Sequence, residues 1–159
     1  MKTKLASCLV ALCLAGGVAL AQDMPMPFGA EADAAYATQL WDVMETLRLA
    51  GPGMVHSAPY EGTDPHGMML ETFYTRATLG GHEGDLIVKR NYGPEGVSAD
   101  EVLREPDKHL GAFTVMFRRE AGYDTDNLDW FWVKYLPDGT LDKMPDGTGH
   151  GWPDRQGHG

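Results

Sequence analysis

Hydrophobic positions follow three successive rhythms along the chain. Leu5 to Leu20 is an almost unbroken apolar run behind Lys2 and Lys4. From Ala32 to Ala50 the apolar residues Tyr36, Leu40, Val43, Met44 and Leu47 recur near every 3.6 positions, which predicts an amphipathic helix stopped by Gly51-Pro52-Gly53. Pro25 and Pro27 exclude a helix before it, so residues 22–31 read as an extended leader. Val55 to Gly67, rich in Pro, Gly, Asp and His, predicts a loop without regular structure.

Beyond the loop the period falls to two. Met69–Ala77 and Asp85–Tyr92 are rich in β-formers and bounded by glycines, and Phe113–Arg119 and Asp129–Leu136 are the strongest strand patterns. Ser98-Ala-Asp-Glu101 fits a capping box opening a short helix through Arg104, ended by Pro106. Pro137-Asp138-Gly139 predicts a turn after the last strand. The expected fold is α+β: the N-terminal helix packed on one mainly antiparallel sheet.

The first apolar run changes meaning once its flanks are considered. A basic start, an Ala/Leu/Gly-rich centre and Ala19-Leu20-Ala21 form a cleavable secretory signal over residues 1–21. The expected location is therefore periplasmic or secreted, in a bacterium, with no membrane span after cleavage. Cys8 and Cys13 both leave with the signal, so the mature protein has no disulfide and no zinc–thiolate site. Losing Lys2 and Lys4 from a chain of net charge −10 leaves 11 basic against 23 acidic residues, or −12. That charge argues against nucleic acid and anionic membranes as partners. Hydrophobic residues make up 43% of the sequence, enough for one domain with a core.

Few side chains combine into chemistry. The six histidines at 56, 66, 82, 109, 150 and 158 have no helical i,i+4 spacing. Met24, Met26, His66, Met68 and Met69 offer thioether and imidazole donors suited to copper, against the plainer reading of Met68 and Met69 as core filling. Asp124, Asp126 and Asp129 fall short of a calcium loop, lacking its glycine and its terminal glutamate, and read as a solvated acidic turn. Lys89 points away from Val88 and Arg90 by strand alternation, as an exposed lysine or a functional one. Trp130 and Trp132 share one face of their strand, with Phe131 and Val133 on the other. A strand apolar on both faces is expected to be covered on both, by the helix and by a partner or ligand. It suits a core strand with Trp132 packed inside, and equally the wall of a pocket for a flat apolar ligand.

Several blocks together resemble the cytochrome P-460 and cytochrome c′-beta family. They are His66-Gly67 ahead of a strand, LIVKRNYGPEG over residues 86–96, and GAFTVMFRREAGYDTDNLDWFWVKYLPDGTLDK over residues 111–143. The densest stretch is Thr114–Gly139, and the likeness spans residues 32–143. The resemblance implies an exported, mainly β c-type haem domain, often a homodimer, that oxidises hydroxylamine or binds nitric oxide and similar gases. In the P-460 branch a lysine is cross-linked to the haem, and Lys89 is the candidate by its place in the Ile-Val-Lys block.

One part of the pattern is missing. The family's Cys-x-x-Cys-His segment should follow, but residues 144–159 form a Gly-rich tail with no cysteine. His150 and His158, each between glycines, are the weak substitutes for an iron ligand, and ordering them is entropically costly. Codons for Gly149–His158 read one nucleotide later permit the family's Ala-Gly-Arg-x-Ala-Lys-Gly lead-in, so a frameshift near residues 144–149 is expected to account for the tail. Without the attachment segment, the chain is expected to lack covalent haem. The alternatives are a non-haem small-ligand or copper-binding periplasmic module, or a truncated remnant without function. Mass spectrometry of exported protein should place the mature N-terminus close to Gln22; retention of Met1–Ala21 would refute cleavage.

Overall fold

A computed structural model describes residues 31–63 and 69–142. Helix α1 (Glu31–Thr46) leads into a loop, and then five strands follow: β1 (Tyr60–Glu61), β2 (Met69–Leu79), β3 (His82–Tyr92), β4 (Leu110–Arg118) and β5 (Trp130–Tyr135). Short helices α2 (Ala99–Arg104) and α3 (Pro106–His109) fill the β3–β4 connection. The strands form one antiparallel sheet in sequence order, β1-β2-β3-β4-β5. The α+β expectation holds. So does the capping box: the Ser98 hydroxyl accepts from the Glu101 amide while the Glu101 carboxylate accepts from the Ser98 amide.

Several boundaries differ from the sequence expectation: β4 starts three residues early at Leu110, a further helix, α3, starts at Pro106, and three other differences have a clear cause. The helix ends at Thr46 rather than Ala50, because Arg48 takes a positive φ of 58° and breaks the ladder ahead of the Gly-Pro-Gly stop. The hairpin strands β2 and β3 run on to Leu79 and His82, since Gly80 and Gly81 both adopt the left-handed backbone of a two-residue turn. Within the expected loop, Tyr60 and Glu61 pair with Leu70 and Met69 and add a fifth, short strand.

Period-two alternation sorts the sheet into two unlike faces. On one, Leu86, Val88, Phe113, Val115, Phe117, Phe131, Val133 and Tyr135 are all buried with Ala37, Leu40, Trp41 and Met44 of α1. Trp41 packs edge-on to Phe113 at 5.2 Å and against Tyr135 at 5.1 Å, and the Tyr135 hydroxyl donates to the Ala37 carbonyl at 2.7 Å. The expected Pro137–Gly139 turn closes beneath this helix. Gly139 has φ +83°, and a Cβ there would sit 2.6 Å from the Trp41 ring, so only glycine fits. At the other end of α1, the Arg119 guanidinium lies between the rings of Tyr36 and Tyr123, 4.1 and 4.0 Å from their centroids. It clamps the helix start to the β4–β5 connection.

The opposite face carries Trp132, which is only half-buried. The expectation of Trp132 as a packed core residue is thereby corrected: α1 covers the Phe131 and Val133 side, and among the described residues no helix covers the other. Phe113→Ala, which empties a fully packed site, should cost about 3–5 kcal/mol, and Trp132→Ala about 1 kcal/mol. Urea denaturation of both variants checks the face assignment; equal losses would contradict it.

Candidate functional site

Polar chemistry is concentrated in two places, one on each face. On the α1 side, Glu71 of β2 and Arg90 of β3 are direct cross-strand partners and are almost wholly inaccessible. Their alternation forces this: Arg90 shares a face with Leu86, Val88 and Tyr92, all buried. Arg90 Nη1 donates to Glu71 Oε2 at 2.9 Å and to the Val55 carbonyl, while Nε and Nη2 donate to the Leu49 carbonyl. The guanidinium also lies 4.6 Å from the centroid of Phe73.

Glu71 is equally saturated. Its Oε2 accepts from the Tyr92 hydroxyl and its Oε1 from the Ser57 amide at 2.7 Å, with His56 Nδ1 at 3.5 Å on the solvent side. Each guanidinium nitrogen of Arg90 and the Tyr92 hydroxyl has an acceptor, so the cluster's role is architectural: it holds the Leu49–Ser57 loop onto the hairpin. Burial, reinforced by the hydrogen bond to the Glu71 carboxylate, pushes the Tyr92 hydroxyl well above its ordinary value.

The second place is the other face of the sheet. Tyr74, Ile87, Met116 and Trp132 stand directly across from one another on β2, β3, β4 and β5. At the usual spacing between strands this apolar row is roughly 14 Å long. Ile87, Met116 and Trp132 are half-buried, and Tyr74 is 74% exposed. The next row is Thr72, Lys89, Thr114 and Lys134, again in register. Lys134 Nζ meets Asp142 Oδ2 at 2.7 Å, and Asn91 Nδ2 donates to Thr114 Oγ1 at 3.0 Å. Lys89 meets no carboxylate among the described residues. On the far side of the apolar row, Arg118 stands across from Trp130, its guanidinium 5.7 Å from that ring.

The sequence-derived candidates are thus scattered. Lys89 lies on the open face beside the apolar row, pointing away from Val88 and Arg90 as strand alternation requires. Of the copper donors, Met69 is buried against Tyr92 and Val102 as core, and Met24, Met26, His66 and Met68 lie outside the described residues. So do the signal, most of the leader, the Gly-rich tail, His150 and His158. His56, His82 and His109 are apart: His56 approaches Glu71 at 3.5 Å, and His82 and His109 hydrogen-bond with the carbonyls of Arg118 and Gly93 respectively. Among the described residues no group of three or more His, Cys, Asp or Glu is placed to hold a metal ion.

The acidic turn differs from its expected solvated state. Asp129 Oδ1 accepts the amides of Gly122 and Asp124, and Asp124 is buried, with Oδ2 taking the Asn127 amide group at 2.7 Å. Its carboxylates cap their own loop. The feature missed entirely from sequence was the Glu71–Arg90 pair. Its signal was present, as opposite charges at inward positions of adjacent strands, but the pairing register was needed to join them.

Comparison with family models, with curated proteins and with solved structures finds no match to this chain.

The Tyr92 shift sets a pH dependence. A phenol whose folded pKa is raised contributes full stability below its ordinary value near 10 and loses it as pH climbs toward the folded value. Stability measured by urea between pH 8 and 11 should therefore fall above pH 10. Tyr92→Phe should be less stable at pH 8, having lost a donor to Glu71, but should fall less steeply. Parallel curves for the two proteins would contradict the assignment.

Proposed function

We propose that this is an exported ligand-binding domain of the cytochrome P-460 and cytochrome c′-beta type, with the open sheet face around Lys89 as the wall on which a flat apolar group lies. One observation carries the reading. Lys89, picked out by its Ile-Val-Lys block, stands beside a four-strand apolar row that no described helix covers. A sheet face with half-buried aromatic, thioether and aliphatic side chains is suited to stacking against a planar ring.

In the family this chain resembles, the flat group is a c-type haem, which would bring iron chemistry toward nitric oxide or hydroxylamine. The residues present fit the ring and not its attachment. Two thioether bonds need two cysteines, and Cys8 and Cys13 belong to the proposed signal. The described histidines are committed elsewhere, none of them beside Lys89. Residues 22–143 therefore offer a flat ligand contacts rather than covalent attachment, and no oxidation of hydroxylamine is assigned to them.

A visible spectrum of protein purified from the periplasm is the test. The expected result is no Soret band, or one lost on acid–organic extraction, and no hydroxylamine oxidation. Joining a family C-terminus after Lys143 should yield a pigmented protein where c-type haem maturation is available. A stoichiometric haem that survives extraction from the unmodified chain would overturn the reading of its C-terminus.

A further inference from the structure

Strand β2 has two unlike edges. Its inner edge pairs with β3 throughout, from Met69 to Leu79, without a break in register. Its outer edge meets only β1, which lies opposite Met69 and Leu70 and goes no further. The two-residue turn at Gly80-Gly81 makes Leu79 and His82 a bonded pair, so alternation spends the amides of Phe73, Thr75, Ala77 and Leu79 on β3. Thr72, Tyr74, Arg76 and Thr78 therefore turn their N–H and C=O groups outward, and among the described residues no backbone group bonds to them there. The Arg76 carbonyl takes only the hydroxyl of its neighbour Thr75, at 3.5 Å. Residues 72–78 (TFYTRAT) hold no Pro, no Lys and no carboxylate, the devices that usually keep a bare edge from pairing.

We infer that this edge is an interface between two copies of the chain, with β2 pairing antiparallel to the partner's β2 about a twofold axis through Thr75. The edge itself selects that register. An axis through Thr75 sets Tyr74 opposite the partner's Arg76 and Thr72 opposite the partner's Thr78, so all the outward backbone groups of residues 72–78 are bonded. An axis through Arg76 would set two guanidinium groups opposite each other, which is unfavourable. Axes through Phe73 or Tyr74 would send Arg76 or Thr78 to the partner's Leu70, a place β1 already takes. One through Ala77 would set Tyr74 against the partner's Gly80, inside its turn. With Thr75 on the axis the side chains match too: the Tyr74 ring meets the partner's Arg76 guanidinium, and Thr75 meets the partner's Thr75. On the α1 side Phe73 meets the partner's Ala77, beside a groove of about 430 Å³ lined by Val43, Leu47 and Ala77. The charge of Arg76 is already offset by Glu83 and Asp85 at 3.7 Å each, so the two edges approach without net repulsion. This inference concerns a strand edge and is independent of any ligand.

The test uses the full exported chain, in sedimentation equilibrium and by cysteine cross-linking. The wild type should sediment as a dimer at micromolar concentration. Thr75 faces the partner's Thr75 in a pair whose Cα atoms are about 4.5 Å apart, within disulfide reach, so Thr75→Cys should form a cross-linked dimer on mild oxidation. Thr78→Cys, about 20 Å from its copy in this register, should not. Arg76→Pro removes an outward donor that β3 does not use and should weaken the dimer at least about tenfold. Tyr74→Arg sets like charges opposite each other and should weaken it as well, with circular dichroism verifying that both variants are folded. A monomeric wild type, equal cross-linking at positions 75 and 78, or a dimer indifferent to both substitutions would overturn the inference.

Discussion

Arg90 is the side chain on which the architecture turns. A guanidinium with no solvent access must satisfy its donors inside the protein, and Arg90 reaches Leu49, Val55 and Glu71 at once. Those partners lie in the loop after α1 and on β2, so one residue ties the end of the helix to the central hairpin. Glu71 returns the constraint by accepting from Tyr92 and Ser57. Removing one member of such a pair strands the other's charge, at a cost of about 3–5 kcal/mol. A one-residue slip of either strand would turn its charge to the opposite face and leave the other buried without its partner.

The asymmetry of the sheet follows from that. With α1 and the Leu49–Ser57 loop fixed to one side, the apolar side chains of that side form a closed core. The opposite side then keeps what β2, β3, β4 and β5 present by alternation: an apolar row bordered by lysine and arginine. Trp132 is the residue that shows the difference most directly. Its neighbours Phe131 and Val133 are buried under α1, and it is only half-buried on the same short strand.

Much of this was legible in the sequence because it is local. Helix periodicity, the Ser98–Glu101 capping box, the β5 alternation and the opposed direction of Lys89 and Arg90 depend only on neighbouring residues. What escaped depends on contacts between distant segments. Tyr60–Glu61 becomes a strand only because Met69 and Leu70 are there to pair with. Glu71 is an unremarkable strand carboxylate until the hairpin register sets it opposite Arg90. The apolar row is likewise invisible along the chain, since Tyr74, Ile87, Met116 and Trp132 come from four strands and align only after pairing. Trp132 was read as core because two-faced hydrophobicity does not say which face a helix will take.

The central claim is that α1 closes one face of the sheet while, among the described residues, no helix covers the other, and fluorescence quenching measures it most directly. Two variants would each keep one tryptophan, Trp41 or Trp132, with the others replaced by phenylalanine, and be titrated with acrylamide. Trp41, packed between Phe113 and Tyr135, should be strongly protected, and Trp132 should be quenched several times more efficiently. Equal protection of the two indoles would mean that the Trp132 face is covered as closely as the core, and would contradict the account.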